Sequence, residues 1–146
     1  MLWIKINRDM NGLKQIILNR VKCNVCEQVL TSYHRHDYKT CGCYNETMID
    51  GGTEYQRYGG KDLGLVDTTS TVYLSEDHQL NRLAAHWGNR GKDGRSPLSY
   101  KSIADMSNQH INNILLDMEG RIAPWIEDIM KKERTYRITN NITIDD

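Results

Sequence analysis

Four cysteines carry the clearest chemistry in this 146-residue chain. Cys23 and Cys26 form a C-x-x-C pair, Cys41 and Cys43 a tighter C-x-C pair, and residues 27–40 separate them. Thiolates are soft anionic ligands, and two close pairs can build a tetrahedral cage for Zn2+ with Zn–S distances of about 2.3 Å. Four sulfur ligands leave no position for water or substrate, so such an ion is a structural staple and not a catalyst. Two disulfides, a thioredoxin-like redox pair and another metal centre such as an iron–sulfur cluster are competing uses of the same residues. Disulfides need an oxidising compartment, and residues 1–8 are too short and too polar for a secretory signal. A redox C-x-x-C is expected near a βαβ pattern, and the sequence shows none. The ribbon-like pairing favours zinc, with Gly42 expected to lend the C-x-C turn its backbone freedom.

A second polar cluster lies between the pairs: His34, His36 and Asp37, with Asp50 and Arg57 further on. A histidine beside a carboxylate can act as a general base, and with Asp50 and Arg57 the group could grip a phosphate or activate water, as in a small nuclease. The plainer reading has Asp37 fixing a hairpin turn and His36 packing near the cysteine knuckle; a third has one histidine replacing a cysteine ligand. Asp50-Gly51-Gly52 could offer N–H groups to an anion, or be a turn that needs positive φ. Arg57 could hold phosphate bidentately or pair with a surface acid. Arg90, Lys92 and Arg95, interleaved with Gly91, Asp93 and Gly94, could wrap a phosphate or an acidic partner, or form a solvated connector; the glycine spacing is not that of a Walker A loop.

These residues need elements to hold them. Leu2, Ile4 and Ile6 alternate as in a strand, Asp9 to Gly12 reads as a turn, and residues 13–22 as a strand running into Cys23. Val29 to Tyr33 and Tyr38 to Thr40 read as a hairpin between the cysteine pairs, and Thr53 to Tyr58 as another strand. Residues 59–70, rich in glycine, read as a flexible boundary. Beyond a short strand at residues 71–74, Ser75 is a candidate N-cap. Leu80, Leu83, Ala84 and Trp87 have helical spacing, with Gly88 as the stop. Residues 89–97 are a polar loop. Ser107 caps a helix with Ile111, Ile114, Leu115 and Met118 on one face, and Pro124 opens another with Trp125, Ile126, Ile129 and Met130 inward. His110 falls just off its stripe; Trp87 and Trp125 read as core anchors or a partner surface. Residues 135–144 are β-prone, a hairpin or a frayed tail. The expected fold class is α+β: a small N-terminal zinc-ribbon-like β module over residues 1–60, then a mainly helical module over 71–146.

Nineteen basic and nineteen acidic residues cancel, which argues against attachment to nucleic acid by bulk charge alone. No apolar run approaches the roughly 20 residues needed to span a bilayer, and the cytoplasm is the expected location. Phenylalanine is absent and the hydrophobic fraction is 38%, so a small core stapled by metal is expected.

Residues 20–58 resemble a group of uncharacterised small zinc-ribbon proteins of bacteriophages. Cys23, Cys26, His36-Asp37, Cys41, Cys43, Asp50-Gly51-Gly52 and Tyr55-Gln56-Arg57 carry the resemblance. It departs at the second knuckle, where glycine sits inside the pair instead of after it. Residues 86–137 look like a second phage module, through Trp87-Gly88, Arg90 to Gly94, Pro97-Leu98, Tyr100 and His110-Ile111. The resemblance implies a phage-encoded protein in a bacterial host cytoplasm, with no established activity. The leading expectation is a non-enzymatic interaction protein that docks on a host or phage protein, such as a defence or nucleic-acid enzyme. A nucleic-acid-binding ribbon, with Tyr33, Tyr38, Tyr44, Tyr55 and Tyr58 among Arg35, Lys39 and Arg57, is the alternative. An enzyme built on His36, Asp37 and Asp50 ranks third.

Overall fold

The computed structural model describes residues 1–7 and 14–146; the turn expected at Asp9 to Gly12 lies outside them. The protein is α+β, with strands concentrated in the first of two compact units, Met1–Leu74 and Ser75–Asp146, and helices in the second.

The first unit contains β1 (Leu2–Asn7), β2 (Ile16–Cys23), β3 (Val29–Ser32), β4 (Lys39–Thr40), β5 (Met48–Asp50), β6 (Tyr55–Gly60), β7 (Val66–Asp67) and β8 (Val72–Tyr73). One antiparallel sheet has the order β1-β6-β5-β4; in the other, β2 pairs with β3, β7 and β8. Val21, Leu30 and Ile49 form the apolar centre with Cys23 and Cys41, and Tyr58 and Val66 pack on it. A buried amide chain ties the sheets. Gln56 Nε2 donates to Asn19 Oδ1 at 2.9 Å and to Thr71 Oγ1 at 2.7 Å, and Asn19 Nδ2 donates to Tyr55 O at 3.1 Å. Paired in this way, buried amides cost little and fix which sheet faces meet.

Residues 59–70 are not the flexible stretch their glycines suggested. Gly59 and Gly60 are buried in β6. A Cβ on Gly59 would lie 2.1 Å from the Leu2 carbonyl oxygen, so the glycine is there to let β1 approach. Asp62 caps a 3-10 turn, Leu63–Leu65, and β7 and β8 then pair with β2, which places residues 61–74 in the first unit.

The second unit contains α1 (His78–Ala84), β9 (His86–Asn89), β10 (Ser99–Ser102), α2 (Asn108–Asp117) and α3 (Pro124–Thr139). Three local expectations fail here. Asp77, not Ser75, caps α1, accepting from the Gln79 N–H. The helix ends at Ala84, so Trp87 and Gly88 lie in β9, and Leu80 and Leu83 are exposed. Ala84 is buried as expected, and beside it the inward residue is Asn81, whose side chain exchanges hydrogen bonds with Ser75, so a polar residue holds a position that apolar spacing could not reveal. Residues 135–139, expected to be β-prone, continue α3. There Glu133 and Arg137 are buried one helical turn apart, and Arg137 donates to the carbonyl oxygens of Ile103 and Ala104 at 3.0 and 3.3 Å. The expected cap on α2 is present, with Ser107 Oγ accepting from the His110 N–H. Ile111, Ile114 and Leu115 of α2 and Ile126, Ile129 and Met130 of α3 are buried. Among the described residues, no helix is long and apolar enough to cross a membrane.

Candidate metal centre

The end of β2 delivers Cys23, and the chain reverses at once, the Glu27 N–H donating to Cys23 O at 2.8 Å. Beyond β4, Cys41 donates from its N–H to Thr47 O at 3.0 Å, and the Glu46 N–H donates to Cys43 O at 3.1 Å. Both turns use a left-handed residue, and in both it is a glutamate: Glu27 at φ 63° and Glu46 at φ 50°. Gly42 does not supply the freedom expected of it. It is not among the positive-φ residues, and a Cβ there would meet nothing within 4 Å.

The four sulfurs converge. All lie within 4.8 Å of one another, with Cys23–Cys43 and Cys41–Cys43 at 3.5 Å. Tetrahedral coordination at about 2.3 Å places sulfurs about 3.8 Å apart, whereas a disulfide needs about 2.05 Å. The spacing therefore fits a shared ion, and the four cysteines are free. Cys23 and Cys41 are buried, Cys43 is half-buried and Cys26 is exposed. Burial pushes the Cys23 thiol up, but the Thr47 hydroxyl and the N–H groups of Cys26 and Val25 outweigh it and bring it down to about 6. Burial, reinforced by the sulfurs of Cys41, Cys23 and Cys26, pushes the Cys43 thiol up to about 11. One thiolate forms readily and another resists, as expected where negative sulfurs crowd together and a cation would relieve them. Cys23, Cys26, Cys41 and Cys43 could together hold a metal ion, and no histidine belongs to the group.

The other polar residues divide. Asp37 is engaged in its own turn: its Oδ2 accepts from the Tyr33 N–H at 2.9 Å, and both its oxygens accept from Lys39 Nζ at 2.9 and 3.0 Å. Burial works against the charge on Asp37, yet these partners hold its carboxyl below the usual range. His34 Nε2 lies 3.9 Å from Asp37 Oδ1. His36, at φ 64°, has Nδ1 3.2 Å from the Tyr55 hydroxyl, which donates to Asp50 Oδ2 at 3.4 Å. Arg57 pairs with the same Asp50 oxygen at 2.9 Å. Asp50 Oδ1 and Arg57 Nε are buried without a hydrogen-bond partner among the described residues. Gly51 and Gly52 have φ of 114° and 55°. A Cβ on Gly51 would lie 2.2 Å from Tyr55 O, and the Gly52 N–H already donates to Ser32 Oγ. Arg90, Lys92 and Arg95 lie exposed on the β9–β10 connection, where Asn89 and Asp93 side chains accept from the Gly91 and Arg95 N–H groups. His110, Trp87 and Trp125 are half-buried.

Two features escaped the sequence reading. On one sheet face, Lys5 lies over the Tyr55 ring at 4.6 Å and Arg57 over Trp3 at 5.7 Å. Their alternate positions on β1 and β6 carried the signal. In the second unit, fully buried Glu133 accepts from Arg82 at 2.8 and 2.9 Å and from Arg137 at 2.9 Å, with His78 at 3.0 Å. Only the four-residue spacing of Glu133 and Arg137 hinted at it.

Fold and site together define a small α+β protein with a four-cysteine cluster able to hold a metal ion. Residues 15–60, which carry all four cysteines and the His34-to-Arg57 segment, match the family described as a domain of unknown function, DUF7695. No curated protein and no solved structure matches the chain.

Proposed function

We propose that this is a zinc-stapled, non-enzymatic interaction protein, encoded by a bacteriophage and acting on a host or phage protein in the bacterial cytoplasm. The observation that carries the reading is the convergence of all four sulfurs. Zinc is the ion that suits a closed set of four thiolates, and held by four sulfurs it has no open position for chemistry. The residues best suited to acid–base work support the same reading. Asp37 is taken up by the Tyr33 N–H and Lys39, and one oxygen of Asp50 by Arg57 and the Tyr55 hydroxyl. The phage origin rests on the sequence resemblance alone.

Two measurements test this. Purification in the presence of zinc should give one equivalent of zinc per chain by elemental analysis. Crosslinking of the tagged protein in infected cells should then recover a stoichiometric protein partner. Absence of metal would remove the staple, and hydrolysis of nucleic acid lost on His36→Ala would replace the reading with an enzymatic one. The face bearing Trp3, Lys5, Tyr55 and Arg57 favours nucleic-acid binding as a second reading, because aromatic rings beside cations can stack on bases and meet phosphates. It calls for salt-dependent binding of a labelled single strand, weakened by Trp3→Ala.

A further inference from the structure

Among the described residues, β1 is the outer strand of its sheet and pairs with β6 alone. Six residues long, it exposes apolar side chains on both faces: Leu2 58%, Trp3 56% and Ile4 39%. Such an edge offers a row of unpaired backbone groups and is usually blunted by charge, proline or a covering element. Among the described residues of this edge, Lys5 alone does that work. The core also runs out at this edge. Ile49 is in register with Tyr58, and Tyr58 with Ile4, so the apolar row that begins in the centre of the unit ends on an exposed isoleucine.

From this edge we infer a homodimer: β1 pairs antiparallel with β1 of a second copy about a two-fold axis through Ile4. A second copy fits better than a foreign strand because the sequence of β1 is complementary to itself in that register. Ile4 meets the partner's Ile4, and Leu2 meets the partner's Ile6, on the face that continues the core. On the opposite face Trp3 meets the partner's Lys5, an aromatic ring against a cation. The two four-stranded sheets become one, and the row Ile49–Tyr58–Ile4 continues into its own mirror order. A two-fold contact of this kind is isologous, so each favourable pair occurs twice. A single strand pair covers much less than the roughly 1,600 Å² of a standard interface, so the dimer is expected to exchange in the micromolar range. It does not depend on what else the protein binds.

Sedimentation of the full chain, from micromolar to hundreds of micromolar, should show a reversible monomer–dimer equilibrium. Trp3→Lys sets a cation against the partner's Lys5 at two places and should raise the dissociation constant about tenfold. Adding Lys5→Glu to that variant places opposite charges there and should restore dimerisation, which a folding defect would not allow. Amide exchange of the unsubstituted protein gives a variant-free readout, since protection of residues 2–7 should rise with concentration. A monomer at every concentration, with the edge left for an extended segment of another protein, overturns the inference. So does a dimer indifferent to Trp3→Lys, or a double variant no better than the single one.

Discussion

At the scale of single residues, the metal cluster is governed as much by its neighbours as by its ligands. Thr47 lends a hydroxyl to Cys23, and that bond helps bring the thiol down to about 6. Thr47→Val keeps the shape and removes the donor. Metal affinity should fall about 10- to 100-fold, measured by competition with a chromophoric chelator. Glu133 poses the same question in the second unit. Burial works to raise its pKa, but the hydrogen bonds from Arg82, His78 and Arg137 outweigh it and hold the carboxyl below the ordinary glutamate value. A depressed folded pKa stabilises fully above the unfolded value of about 4.3 and is lost as pH falls through the folded one. Glu133→Gln leaves buried guanidinium groups facing a neutral amide. It should cost about 3 kcal/mol at pH 7 by urea unfolding, and the difference from the parent should shrink below about pH 4.

At the scale of elements, turn chemistry separates what the sequence could reveal from what it could not. Ser107 before the run Ile111, Ile114 and Leu115 marked α2 because a cap and a 3.6-residue period are local signals. The extent of α3 was not legible, because its inner face is finished by Glu133 and Arg137, which look solvent-facing until Ile103 O, Ala104 O and Arg82 are brought to them. The cysteines were legible from their spacing, as was the positive φ of the Gly51-Gly52 turn, but the left-handed Glu27 and Glu46 beside the cysteines were not. Gly42 is conformationally ordinary, whereas Gly51 is left-handed and pressed against the Tyr55 backbone. Gly42→Ala should therefore change stability by no more than about 0.5 kcal/mol. Gly51→Ala should cost about 3 kcal/mol or leave the first unit unfolded, as read by thermal melting with metal present.

At the scale of the whole molecule, the four-cysteine cluster belongs to the first of the two units. In the first, Val21, Leu30 and Ile49 pack beside Cys23 and Cys41, and Ile16, Ile17, Leu18 and Met48 are buried as well. The second buries Ile103, Met106, Ile111, Ile129 and Met130. Metal removal should therefore act unevenly. With a strong chelator, amide exchange over residues 15–60 should accelerate by orders of magnitude, while protection over 108–139 is retained; mass spectrometry after proteolysis reads both at once. Composition revealed an interior built without phenylalanine. It could not reveal that Gln56, Asn19 and Thr71 bridge the two sheets, because an amide earns a buried place only from partners far along the chain.

The nearness of the four ligands in sequence, residues 23 to 43, bears on how this chain finds its shape. The pairing of β1 with β6 must join Leu2 to Gly60 and Asn7 to Tyr55, a distant search. Capturing an ion requires only short loops to close, which costs little chain entropy and is quick. A metal-loaded knuckle would fasten β2 and β3 to β4 and bring β5 within reach, so the slow, long-range step would begin from a largely assembled template. Refolding should accordingly be faster with metal supplied at the start than with metal supplied afterwards.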